Sequence, residues 1–379
     1  MLGMEAVARP RETPCSRRPG PSSGAAPSME AVLRVRKLCL SALCAVLLAV
    51  PAAAQDKIRL KVAGNLLATG LILKNKEQPF FETLAERTGL PIAVDYKPMD
   101  VTGIKDTEGL RVLKSGLFDI VSLRLTWVSR DEPFSDGLDL IGLNPDYKSA
   151  REVAEVYEDA LDRRLQERFN AKLLGLWAFG PQVLFCKPEI SGLADLKGKK
   201  VRVYSQSLAE FIQSIGGTPV SLNFGETQQA LSRGVVDCAI TGPSSANSAG
   251  WPEVTSYFMP IGFGVGFNGY GINLNTWKKF TPEQQAKLQE AFDQLITDIW
   301  TYSEELFDDA VRCNVGKDPC TTVKKFDMKE VPVTEADLKL LRAAVPSVSY
   351  PAWSRICEQS YPGCGERWKS LLGDYAGVK

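Results

Sequence analysis

Nine cysteines and not one histidine set the chemistry open to this chain of 379 residues. Without imidazole there is no Ser-His-Asp or Cys-His nucleophile, no histidine acid–base catalysis and no His-ligated metal. Chemistry run by carboxylates, Lys or Cys alone stays open. Two glycine motifs look catalytic at first sight. Gly20-Pro21-Ser22-Ser23-Gly24 spells a nucleophile elbow, G-x-S-x-G, but no histidine exists to serve it. Gly264-Val265-Gly266-Phe267-Asn268-Gly269 spells a dinucleotide fingerprint, which should follow a strand and open a helix. Extended sequence continues through Gly271-Ile272-Asn273-Leu274, so a glycine-rich crossover between lobes is expected instead.

The cysteines carry a second signal. Cys313/Cys320 and Cys357/Cys364 have equal spacing, and each pair brackets a turn-forming stretch. A zinc site built from the four thiolates would use tighter C-x-x-C knuckles, so two local disulfides are expected. Cys186 and Cys238 lie in apolar, strand-like runs. They either pair or are two buried small hydrophobes.

Disulfides need an oxidising compartment, and the N-terminus points to one. From Met29, the expected start, Arg34, Arg36 and Lys37 precede an apolar run from Leu38 to Val50, then Pro51 and Ala52-Ala53-Ala54. This is the pattern of a secretory signal with cleavage before Gln55. The run is too short to span a bilayer. Residues 1–54, including Cys15, Cys39 and Cys44, are expected to leave. The chain that remains carries 38 basic and 42 acidic residues, without the basic surplus of a nucleic-acid binder.

The elements that position any site read as two α/β units. Ile58–Val62 and Ile92–Tyr96 alternate as strands around a helix from Phe80 to Thr88 closed by Gly89. A helix at Glu108–Lys114, a strand at Phe118–Val121, a helix at Ala150–Phe169 and an apolar strand region at Leu173–Phe185 follow. The alternation restarts with strands at Lys200–Tyr204, Pro219–Leu222 and Val235–Ile240, separated by helices at Ser207–Ile215 and Glu226–Arg233. Thr281-Pro282-Glu283-Gln284 is a capping box with Pro at the first helical position. Leu288, Phe292, Leu295, Ile299, Tyr302 and Leu306 then mark an amphipathic helix of about 25 residues or more, long enough to brace two lobes.

Several blocks together resemble a family. They are Leu196-Lys197-Gly198-Lys199-Lys200-Val201-Arg202-Val203, Gly216-Gly217-Thr218-Pro219-Val220, Phe224-Gly225-Glu226, Ala230–Asp237 and Trp277–Gln285. From about Lys57 to about Asp309 the chain is similar to the DctP-type solute-binding proteins of TRAP transporters. The resemblance implies an α/β, two-lobed fold with a ligand cleft, hinge strands and a long bracing helix. It implies a first lobe of 57–179 plus 268–307 and a second of 180–267 plus 308–379. It also implies a periplasmic, monomeric receptor that binds an organic acid and delivers it to membrane permease subunits, without cofactor, metal or bond cleavage.

On the same footing, Arg202 stands where the family grips a carboxylate, and a guanidinium presents a permanently charged planar fork to such a group. Ser205 adds a donor near a helix start. Sialic-acid-type members have a second arginine where this chain has Gln182, and an acid where it has Arg124, so a positive charge has exchanged lobes. That exchange favours a monocarboxylate with a bulky or aromatic body. Asn65, Asp106 and Thr241 match polar pocket positions, and Trp127, Phe179, Phe224 and Phe263 are candidate apolar walls. An ABC-type binding protein shares the cleft but not the bracing helix. A carboxylate-dependent hydrolase would need two site carboxylates, and only Asp106 can be named.

Overall fold

The computed structural model describes residues 57–379; the signal segment and the G-x-S-x-G motif lie outside the described residues. The first lobe opens with β1 (Ile58–Gly64), α1 (Gln78–Thr88), β2 (Ile92–Pro98), α2 (Gly109–Ser115), β3 (Ile120–Arg124), α3 (Tyr147–Phe169) and β4 (Ala171–Ala178). The chain crosses into β5 (Val183–Cys186), β6 (Lys200–Val203), α4 (Gln206–Ser214), β7 (Thr218–Ser221), α5 (Phe224–Arg233), β8 (Cys238–Thr241), α6 (Pro243–Ser248) and β9 (Tyr257–Met259). It returns on β10 (Phe267–Asn273), α7 (Leu274–Trp277) and α8 (Pro282–Asn314), and ends with β11 (Lys329–Glu330), α9 (Glu335–Arg342), α10 (Tyr350–Ser360) and α11 (Cys364–Ala376).

Two sheets result, ordered β2-β1-β3-β10-β4 and β11-β9-β5-β8-β6-β7. In each, a parallel trio (β1, β2, β3 and β6, β7, β8) is joined by an antiparallel strand adjoining a crossing segment, β10 in the first and β5 in the second. Parallel strands need helical crossovers, which is why both units read as strand–helix alternation. The first sheet packs a continuous apolar core through Val62, Phe81, Leu123, Leu161 and Phe292. The second buries Val201, Phe211 and Ile240 on one face and Phe185, Leu231 and Trp251 on the other.

Helix α8 is longer than the periodicity requires, 33 residues. Its start is the capping box read from sequence: the Gln284 amide donates to Thr281 Oγ1 at 3.3 Å, and the Thr281 amide donates to Gln284 Oε1 at 3.0 Å. Leu288, Phe292, Leu295 and Ile299 bury into the first core. Its far end meets the second lobe, where Asn247 Nδ2 donates to Asn314 Oδ1 at 2.7 Å. One rigid helix therefore spans both lobes.

Three disulfides form, Cys186–Cys238, Cys313–Cys320 and Cys357–Cys364. The first links directly opposed residues of β5 and β8 and resolves the alternative left open above. The C-terminus departs from expectation. Val331, Leu341 and Ala344 pack in the second core, but Trp353, Cys357, Cys364, Trp368 and Leu372 of α10 and α11 pack in the first. Both indoles anchor there: Trp353 Nε1 donates to Pro133 O and Trp368 Nε1 to Gly137 O, each at 2.8 Å. Residues 350–379 thus belong with the first lobe, because two large indoles found carbonyl partners there as well as apolar contacts.

Candidate functional site

The lobes are joined by paired crossing segments. Phe179 N donates to Gly266 O, Gly180 N to Val265 O and Gln182 N to Gly264 O, at 2.8–3.1 Å. The G-x-G-x-x-G run is therefore hinge and strand, not a nucleotide loop. Gly266 sits at φ 67°, and a Cβ there would meet Gln182 Nε2 at 2.9 Å, so glycine is required. From within the first lobe, buried Asp139 accepts from Val265 N at 2.8 Å and Gly266 N at 2.9 Å.

Directly beside this hinge lies a cavity of about 30 Å³, lined by Arg124, Thr126, Trp127, Phe179, Gln182, Arg202, Tyr204, Phe224, Thr241, Gly266 and Phe267. Arg124 closes β3 of the first lobe; Arg202 lies in β6 of the second. Arg202 is 1% exposed. Its Nη1 donates to Ile240 O at 2.9 Å and its Nε to Leu222 O at 3.2 Å, and its Nη2 has no partner. Arg124 also buries an unpartnered Nη2. The two guanidiniums share one ring: their Cζ atoms lie 5.1 and 5.8 Å from the Trp127 centroid, and Arg124 also covers Phe179 at 4.9 Å.

Among the described residues neither arginine has a carboxylate within the 4.0 Å of an ion pair. Burial, and next the Arg124 charge, push Arg202 down to about 9. Burial lowers Arg124 too, with the Asp106 charge opposing it. Asp106 is buried and its carboxyl is raised by that burial, against the pull of Arg124. Tyr204 also keeps a buried hydroxyl without a partner. Arg124 Nη2, Arg202 Nη2 and Tyr204 Oη are all donors; such an array suits an anion with several acceptor oxygens.

Seven of the expected residues thus come together: Arg202, Arg124, Gln182, Thr241, Trp127, Phe179 and Phe224. Gln182 spends its amide hydrogens on Gly180 O at 2.7 Å and Val265 O at 3.3 Å. It tethers the hinge, and only its oxygen is left for the cavity. Ser205 caps α4 through Leu208 N and lines an outer cavity instead. Asp106 lies near both arginines but outside both cavity walls. Two expectations fail. Asn65 turns away to buried Glu77, to which its backbone amide donates at 2.7 Å, alongside Tyr96 and Tyr270. Phe263 packs against Phe211 in the second core, with ring centroids 5.9 Å apart. Thr126 and Tyr204 were missed: Thr126 sits in the turn that follows β3, where Trp127 N donates to Arg124 O at 3.0 Å, and Tyr204 follows the end of β6, so no strand alternation marks either.

Comparison with known proteins places this geometry. The profile of the bacterial extracellular solute-binding proteins, family 7 (DctP), matches residues 68–330. A solute-binding protein of Roseobacter denitrificans is 24% identical over 56% of this chain and 65% of its own length. The C4-dicarboxylate-binding periplasmic protein DctP of Rhodobacter capsulatus is 24% identical over 61% and 68%. Among solved structures, a TRAP periplasmic solute-binding protein from Desulfovibrio salexigens, with bound orotic acid, superposes with a TM-score of 0.74 at 20% identity, covering 85% of this chain and 99% of that one. A Bordetella pertussis extracytoplasmic solute receptor binding pyroglutamic acid gives 0.69 at 18%, covering 83% and 99%. With a profile match over more than half its length, a two-lobed fold and a hinge-side cavity, the chain belongs to family 7 of the bacterial extracellular solute-binding proteins.

Proposed function

We propose that the chain is the extracytoplasmic receptor of a TRAP transporter, exported by its N-terminal signal, that captures an organic acid as a monomer and hands it to membrane permease subunits. Family membership and the acids bound by the two solved relatives support the reading. The observation that carries it is the pair of guanidiniums. One comes from each lobe, each buries an unpartnered nitrogen, and among the described residues no carboxylate pairs with either. A carboxylate seated between them has one oxygen for each. Trp127, Phe179 and Phe224 would flank a ring-sized body. A hydrolase would need two carboxylates at the site; the inner cavity has none in its wall, and the outer one has Glu226 alone.

Calorimetric titration with a panel of ring-bearing acids (orotate, pyroglutamate and hexuronates) and their methyl esters tests this. At least one acid should bind, and its ester should bind far more weakly. If no acid binds, or ester and acid bind alike, the reading is wrong.

A further inference from the structure

Beyond the inner cavity the cleft widens into a space of about 360 Å³, which shares Thr126, Trp127 and Tyr204 with it. This outer space is where the body of a bound acid would project. Its walls carry both signs of charge. Lys105, Ser129 and Arg130 come from the first lobe, and Ser205, Asn223 and Glu226 from the second. Among the described residues Lys105, Arg130 and Glu226 have no ion-pair partner. Neighbouring Arg111 and Asp131, by contrast, are committed to each other at 2.7 Å.

We propose that the solute is an oxygen-rich monocarboxylate whose body carries several hydroxyls, and that Lys105 and Arg130 select that body. The proposal rests on the receptor reading above and adds the chemical class of the ligand's far end. A hydroxyl both donates and accepts, so it suits cations on one wall and a carboxylate on the other. A second carboxylate would gain from Lys105 and Arg130 but be repelled by Glu226. An alkyl or aromatic body would strip water from all of these side chains and return no hydrogen bond. The outer wall therefore opposes the aromatic body that the arginine exchange favoured.

The test compares a hexuronate, cyclohexanecarboxylate and adipate by calorimetry, on wild type and on Lys105→Ala/Arg130→Ala. Wild type should prefer the hexuronate over the other two by at least about ten-fold, as sites built for hydroxyls do. The double variant should lose at least about ten-fold for the hexuronate and change less than about two-fold for cyclohexanecarboxylate. The proposal is overturned if wild type binds either comparison acid as tightly as the hexuronate, or if the double variant weakens all acids equally. If the hexuronate fails while another acid of the panel binds, the selection fails and the receptor reading stands. If no acid binds, both fall.

Discussion

Replacing Arg202 by Met should separate a ligand clamp from a structural arginine. A guanidinium that is 1% exposed and pushed down to about 9 is a charge held at a cost of several kcal/mol. Methionine relieves that cost and keeps most of the volume. In exchange Ile240 O and Leu222 O lose their donors, at about 1–3 kcal/mol each. The two effects oppose each other at similar size, so the unliganded Tm should stay within a few degrees of wild type. Binding should not be spared. Removing one partner of a buried, hydrogen-bonded charge pair costs about 2–5 kcal/mol, or roughly 30- to 5,000-fold in affinity. Arg202→Lys should recover part of this, because charge remains while the planar fork is lost. Arg124→Glu should bind worse than Arg124→Ala. Differential scanning fluorimetry and calorimetry on the same preparations read both quantities. The reasoning fails if Arg202→Met binds the cognate acid as wild type does, or if its Tm collapses together with its affinity.

Two further outcomes are expected. Asp139 is pushed up to about 6 by burial despite its two backbone donors, and Glu158 to about 7 by burial and the nearby Asp293 charge. Each holds in the folded state a proton that the unfolded chain has released, so stability falls as pH rises through about 4–7 and is regained on acidification. Tm should be higher at pH 5 than at pH 7.5 in calorimetric scans; a flat or rising profile toward pH 7.5 would contradict these assignments. N-terminal sequencing of the exported protein should begin at Gln55, and retention of Leu38–Val50 would remove the export argument.

What the sequence disclosed was local. Strand–helix alternation and the Thr281–Gln284 cap depend on residues within a few positions of one another, and both appear where the pattern puts them. What it withheld was register and destination. The pairing of Cys186 with Cys238 depends on how β5 lies against β8. The apolar faces of α10 and α11 announce burial without saying which core receives them. Asn65 ends a strand as a pocket residue should, but its partner Glu77 sits in a run of Lys74, Asn75 and Lys76 that reads as solvated surface. Only in the fold do Tyr96 and Tyr270 close around that carboxylate, with Asn65 as part of the same shell. The arginine pair was found because resemblance marked both positions; no local pattern shows that Arg124 and Arg202 share the Trp127 ring.

On the receptor reading proposed for this chain, that shared ring would couple occupancy to closure. The two Cζ distances to its centroid bound the separation of the charges at about 11 Å. At an effective dielectric of about 20, their repulsion is then at least about 1.5 kcal/mol. One charge belongs to each lobe, so the repulsion acts on closing the lobes rather than on folding either. Asp106 offsets it only in part, since it pairs with neither arginine and burial raises its own carboxyl. A monocarboxylate reverses the sign, turning one repulsion into two attractions that strengthen as water leaves. The hinge is suited to transmit this. Gln182 and Asp139 fix the backbone of the crossing segments through four hydrogen bonds, and α8 stiffens the back of both lobes. A neutral molecule of the same shape could fill the cavity, but it would leave the two guanidiniums opposed and the lobes without a reason to close.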